Sequence, residues 1–226
     1  MRSIIQFGRT SKATHGHAAF DRVMQSAREI SKRQPDALFD LIAALLRPLQ
    51  SEHLITVAER EQHMAPESIQ GASFFFDVTR FISVSKCWVQ PTPPLTVRLA
   101  SDPVLPTAWE RGRFVSAITN IGEGRPHGAW TQDPNHHVSV WLPWNIAFVG
   151  GGNHSITAGI LRGEGVITAT EVVDASPLFD LVECDGRTFR QKGTGKVIVS
   201  AEDHRRAAIF EIGRLIASLG LSKVQA

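Results

Sequence analysis

The segment that most restricts how this chain can fold is Phe148–Val149–Gly150–Gly151–Gly152–Asn153–His154–Ser155. An apolar, β-prone run from Ile146 to Val149 feeds three consecutive glycines, and a short helical pattern follows from Ile156 to Arg162. Glycine lacks a Cβ, so this turn can take left-handed angles and lie close to another group. The first N–H groups of the helix it opens have no intrahelical acceptor. With the helix dipole they form a site suited to an anion. Asn153, His154 and Ser155 bring side-chain donors to the same mouth, and Thr157 adds a hydroxyl. The plain alternative is a tight strand–helix turn in which Asn153 or Ser155 caps the helix. The segment fits neither GxxxxGK[ST] nor GxGxxG, because its glycines are contiguous and no Lys follows.

Around this segment the pattern is that of an α+β chain with helices at both ends. Residues 1 to about 16 have weak periodicity and are expected to be loose. Phe20, Val23, Met24, Ala27 and Ile30 then recur at helical steps. Pro35 opens a second helix whose apolar face, Leu38 to Leu49, is wide enough to demand burial. A third helix is expected over about 51–64. These helices read as an N-terminal extension over 1–70, and residues 71–226 as the domain that holds the glycine segment. Ser73–Val84 and Leu95–Leu99 read as strands, and Trp109, Arg113, Phe114, Ala117, Ile118 and Ile121 as a helix. His137–Leu142 and Ile146–Val149 read as strands bent at Pro143, and Val166–Val173 as one more. Asp185–Gly186 marks a hairpin between Leu181–Cys184 and Arg187–Arg190. Lys196–Ser200 is a last strand, and Ser200 with Asp203 reads as a capping box for a closing helix over about 201–219.

The order strand, Gly–Gly–Asn–His loop, short helix, Gly163, then a strand ending in Asp174 resembles the phosphate-binding box of the ParB/sulfiredoxin-like superfamily. Sulfiredoxins carry Gly-Gly-Cys-His-Arg there, so Gly151, Gly152 and His154 take matching positions. Asn153 stands in place of the catalytic Cys, which removes sulfinic-acid reduction, and Ser155 stands in place of the usual Arg, which removes one phosphate-pairing charge. The helical N-terminal part, and the lack of a helix-turn-helix region after the core, are similar to plasmid fertility-inhibition proteins of the oncogenic-suppression (Osa) and FiwA type. That resemblance implies a ParB/sulfiredoxin-like mixed-sheet core and binding of ATP through Gly150, Gly151, Gly152, Asn153, His154, Ser155 and Thr157. It further implies Mg²⁺-assisted ATPase and DNase chemistry at His154 and Asn153, with DNA and a type IV secretion component as partners in blocking conjugation.

Other residues are weaker candidates. Gly122–Glu123–Gly124–Arg125–Pro126–His127 is a second polar loop whose Arg125 or His127 could reach a phosphate, although such loops are commonly plain surface turns. His136 and His137 face opposite sides of a strand, so they cannot chelate one ion together, but His137 suits a general base. Glu164, Glu171 and Asp174 are the carboxylates available to Mg²⁺, and the spacing selects none of them. Trp130, Trp141 and Trp144 could stack on a base, with a core role expected for at least two.

The 226 residues carry a formal charge of only +2, so a nucleic-acid site must be local rather than a general basic coat. Seven Arg or Lys precede Pro35 against Asp21 and Glu29. They read either as a solvated helix face or as an arm for phosphates. Cys87 and Cys184 fit neither a disulfide framework nor a metal spacing and read as buried thiols of a reducing compartment. No apolar run approaches the roughly 18 residues needed to span a bilayer. The N-terminus lacks a secretory apolar segment, and a bacterial cytoplasmic protein is expected over one with an organelle transit peptide. Three functions therefore stand open: a nucleotide-dependent nuclease, a non-catalytic nucleotide-binding adaptor for a secretion-channel partner, and a plain DNA-binding module. The near-neutral charge speaks against the last.

Overall fold

A computed structural model describes residues 6–61 and 68–221, with side chains from His17 onward. In chain order it contains α1 (Gln6–Arg33), α2 (Ala37–Glu59), three short 3₁₀ turns (Gly71–Ser73, Val78–Arg80, Val84–Cys87), β1 (Trp88–Val89), β2 (Thr96–Arg98), β3 (Val104–Leu105) and α3 (Arg111–Asn120). Then come β4 (Val138–Leu142), β5 (Ile146–Val149), α4 (Asn153–Arg162), β6 (Val166–Thr168), β7 (Glu171–Asp174) and α5 (Leu178–Leu181). The chain closes with β8 (Val182–Cys184), β9 (Thr188–Gln191), β10 (Val197–Ser200) and α6 (His204–Ser218). The α+β class expected from the sequence is what the chain adopts. Among the described residues no helix is long and apolar enough to cross a membrane.

The centre is a five-stranded mixed sheet in the order β1-β7-β4-β5-β3. β4 and β5 form an antiparallel hairpin, β7 runs parallel to β4, β3 runs parallel to β5, and β1 closes one edge antiparallel to β7. The two-residue alternation of a strand divides its side chains between two cores. On β4 and β5, Val138, Val140, Leu142, Ala147 and Val149 point into a cluster with Ile156 and Ile167. Trp141, Ile146 and Phe148 point into a larger cluster that includes Leu38, Ile42 and Leu46 of α2 and Ala208, Ile209 and Ile212 of α6. Both faces are covered, which is why these strands read as near-continuous apolar runs. The N-terminal helices thus share a core with α6 and the sheet. The expected boundary at 70/71 follows a stretch, 62–67, outside the described residues.

Five expectations change in the folded chain. Helix α1 begins at Gln6, well before the expected start, and Arg2 lies outside the described residues. The second and third expected helices are one: α2 runs through Pro48, which is exposed, while Leu46, Gln50, Leu54 and Val57 keep a continuous buried stripe. Ser73–Val84 is not a strand. Strand geometry would throw Phe75 to the face opposite Phe74 and Phe76, yet all three rings join one aromatic cluster. Phe75 packs 4.8 Å from Trp144, and Phe76 packs 5.1 Å from Phe189. Val166–Val173 is two strands in different sheets, β6 against β2 and β7 against β4. The break is held where Thr170 N–H donates to Val138 O at 2.9 Å. The closing helix is capped by Asp203, which accepts from Arg205 N–H at 2.6 Å and Arg206 N–H at 2.9 Å, and not by a Ser200 box.

Candidate phosphate site at the start of α4

Phe148 and Val149 end β5 inside the core, and the glycines carry the chain out of the sheet into α4. Gly150 N–H and Gly151 N–H both donate to His137 O, at 2.8 Å and 3.2 Å. Gly152 sits at φ 74°, ψ 21°, a left-handed conformation that favours glycine. The close approach the glycines permit is to the protein itself. A Cβ on Gly152 would lie 2.1 Å from His136 Cδ2, and one on Gly151 2.5 Å from Asn135 O. The loop over residues 133–137 therefore wedges against one side of the turn.

The other side is open. A cleft of about 690 Å³ lies between α3, the 133–137 loop and the mouth of α4, and Gly151 and Gly152 are part of its wall. The N–H groups of Gly152, Asn153, His154 and Ser155 find no acceptor among the described residues. Two buried side chains add donors. Asn153 is 7% exposed, and its Oδ1 accepts Thr107 N–H at 2.7 Å. That bond fixes the amide orientation, so Nδ2 carries the free hydrogens, and it meets the cleft without a partner among the described residues. His154 is 9% exposed, and its Nε2 accepts Glu110 N–H at 3.2 Å. The proton of the neutral ring therefore sits on Nδ1, which also lacks an acceptor among those residues and opens on the cleft. Burial, and then Arg113, hold the His154 pKa below the usual histidine value, so the ring is neutral near pH 7. Trp109 packs on it edge-to-face at 4.6 Å.

Around this mouth stand Arg113, His127 and His137, all exposed. The Arg113 guanidinium has no hydrogen-bond or ion-pair partner among the described residues. Glu110 is occupied elsewhere: its carboxylate caps α3, accepting Gly112 N–H and Arg113 N–H at 2.6 Å each. Those two bonds hold it below the usual carboxylate range. Asp133 on the far rim is exposed, with Oδ1 accepting Asn135 N–H at 2.7 Å.

Ser155, His136 and Asp133 look like a nucleophile, base and acid in line. His136 Nε2 is 2.6 Å from Ser155 Oγ, and Nδ1 is 3.6 Å from Asp133 Oδ1. The protons run the wrong way for catalysis. Asp133 N–H donates to Nδ1 at 2.7 Å, so the ring proton is on Nε2 and points at Ser155. The Ser155 hydroxyl then donates to Gly152 O at 3.0 Å. A base must instead receive the hydroxyl proton on Nε2 and donate from Nδ1. This network braces the turn, and Ser155 is a structural member of the site.

The remaining residues singled out by sequence scatter. Thr157 is fully buried and does not reach the cleft. Arg125 is turned to the end of α3, where it donates to Ile118 O and, at 2.9 Å, to Ile121 O. Glu164 accepts Glu123 N–H at 3.1 Å and pairs with Arg162, and Asp174 accepts Ser176 N–H at 3.0 Å. Glu171 is exposed on the wall of a second groove. Trp130, Trp141 and Trp144 are all buried, whereas Trp109 is 48% exposed and lines both clefts. Sequence reasoning placed Trp109 and Arg113 on a helix without a role. The signal lay in Glu110, whose position at a helix start makes α3 begin beside them and leaves both near its exposed first turn. Cys184 is buried, with its thiol pushed up to about 12 by burial, and Cys87 is half-buried.

Residues 5–223 match the model of a protein family described as a family of unknown function (DUF6710). No curated protein and no solved structure matches the chain.

Proposed function

We propose, for a chain that belongs to the DUF6710 family, that the cleft between α3 and α4 binds the phosphate groups of a nucleotide. One observation carries this reading: several donor groups without partners among the described residues gather where α4 begins. They are four main-chain N–H groups, Asn153 Nδ2, His154 Nδ1–H and the nearby Arg113. These donors open on the cleft, and one bound anion accepts from several of them at once through charge-assisted hydrogen bonds. Arg113 is placed to supply the charge missing at Ser155.

The resemblance to fertility-inhibition proteins extends the proposal to ATP or another nucleotide, to DNA and to a type IV secretion component. Within it, the adaptor reading is favoured over the nuclease. Asn153 and His154 act as fixed donors, with their acceptor atoms already engaged by Thr107 and Glu110. The carboxylates the sequence offered for Mg²⁺ do not stand beside the phosphates: Glu164 and Asp174 are engaged elsewhere and Glu171 faces the other groove. The enzyme reading keeps one specific support, the exposed His137 imidazole on the cleft, as a candidate base.

The test is titration calorimetry of the full chain with ATP, GTP and inorganic tripolyphosphate, beside Asn153→Asp. The carboxylate keeps the acceptor for Thr107 and suits a helix start, but it turns the free donor into an anion. Folding stability is expected to hold while affinity for all three ligands falls by about tenfold or more, the scale of one charge-assisted hydrogen bond. Absence of binding by the wild type, or unchanged binding by the variant, refutes the site. Phosphate release or loss of linear DNA that disappears in His137→Ala would move the reading to the enzyme.

A further inference from the structure

The second groove adjoins the phosphate cleft and shares Trp109 and Asn153 with it. Its volume is about 540 Å³, within the range of small-molecule sites. Its floor is one face of the central sheet. The register sets Ser139 of β4 beside Glu171 of β7, and Trp141 beside Val173. The strand ends nearest Gly150 therefore present the polar pair Ser139 and Glu171, and the aromatic Trp141 lies deeper. Trp109 offers an exposed ring, and the exposed Gln70 is also part of the wall. The side chains of Gln70, Ser139 and Glu171 have no partners among the described residues.

Resting on the proposal that the cleft at α4 holds phosphates, we infer that this groove takes the base of the same nucleotide and selects guanine. A planar base stacks on Trp109, as bases do on exposed aromatic rings. The carboxylate of Glu171 is an acceptor with two oxygens. Guanine alone among the bases presents two adjacent donors on one edge, N1–H and the N2 amino group. Adenine and cytosine set one amino group beside a ring nitrogen whose lone pair would face the carboxylate. Uracil and thymine offer one N–H between two carbonyls. Ser139 and Gln70 remain to meet the O6 and N7 acceptors of guanine. An acceptor that the bound base shields from water rejects analogues that leave it unpaired more strongly than it favours a better fit.

The substitution Glu171→Gln tests this directly, because an amide accepts from the adenine amino group and donates to its ring nitrogen. Calorimetry with GTP, ATP and inorganic tripolyphosphate is run on the wild type and on the variant. Affinity for GTP over ATP is expected to be about tenfold or more in the wild type, from one bidentate charged pair. In Glu171→Gln the ratio is expected to fall to about one or to invert. Each ratio is read within one protein, so a loss of folded material cancels. Equal binding of GTP and ATP by the wild type, or a ratio unchanged in the variant, overturns the guanine assignment and leaves the phosphate site standing. Failure of the wild type to bind any of the three ligands, tripolyphosphate included, overturns the phosphate site as well.

Discussion

Replacing Gly152 with Ala tests whether the turn into α4 is held by the protein's own wedge. Two terms add at this position. A non-glycine residue at φ 74° meets the left-handed penalty, about 1–2 kcal/mol. The new methyl would also lie 2.1 Å from His136 Cδ2. That ring is pinned by Asp133 N–H at 2.7 Å and by Ser155 Oγ at 2.6 Å, so it cannot swing aside without breaking a buried bond. Overpacking of this kind costs about 1–3 kcal/mol more. The expected loss is about 2–5 kcal/mol, a large part of the ~5–15 kcal/mol typical of a folded chain. Gly163, at the other end of the same helix, is the control. It has φ 68°, and a Cβ added there would meet nothing within 4 Å, so Gly163→Ala should lose only the left-handed term, about 1–2 kcal/mol. Urea unfolding followed by tryptophan fluorescence measures both. Equal losses in the two variants would refute the wedge.

Three further outcomes follow from the same contacts. Asn153→Ala removes the acceptor of the buried Thr107 N–H; urea midpoints should show a loss of about 1–3 kcal/mol that Asn153→Asp does not show. Burial holds His53, His136 and His154 below the usual histidine value. Below about pH 6.5 the unfolded chain takes up protons these folded rings refuse, so the urea midpoint should fall between pH 7 and pH 5, and a flat or rising midpoint would contradict it. The Cys184 thiol, pushed up to about 12, contributes stability that is fully present below the unfolded thiol value and is lost as pH rises from there through the folded value. Cys184 should resist a thiol reagent at pH 8 in native protein and react only on unfolding, with the two thiols separated by mass spectrometry of labelled peptides.

Local chemistry was legible in the chain where one residue type does one job. The apolar, β-prone runs through Val138–Leu142 and Ile146–Val149 announced strands, and strand geometry then divides their side chains between the two cores. The glycine turn and the helix after it stood where the pattern put them, and Asp185–Gly186 gave its hairpin between β8 and β9. Ala208, Ile209, Ile212 and Ile216, set at helical steps along the closing helix, are all buried. Periodicity succeeds at such places because backbone geometry repeats over a few residues.

What the chain did not disclose was which partners meet across long separations. Phe74, Phe75 and Phe76 read as strand formers, but the aromatic cluster that claims all three draws on Trp144, Phe189 and Phe210. Whether Asn153 and His154 are catalysts or fixed donors depends on Thr107 and Glu110, more than forty residues away, whose N–H groups take their acceptor atoms. The triple glycine is a property of the sequence alone. That it is pressed on one side by His136 and open on the other to Arg113 was decided by the packing of α3 and the 133–137 loop around it. Hydrogen bonds and steric contacts act within a few ångströms of space, whatever the distance along the chain, and only the tertiary structure sets that space.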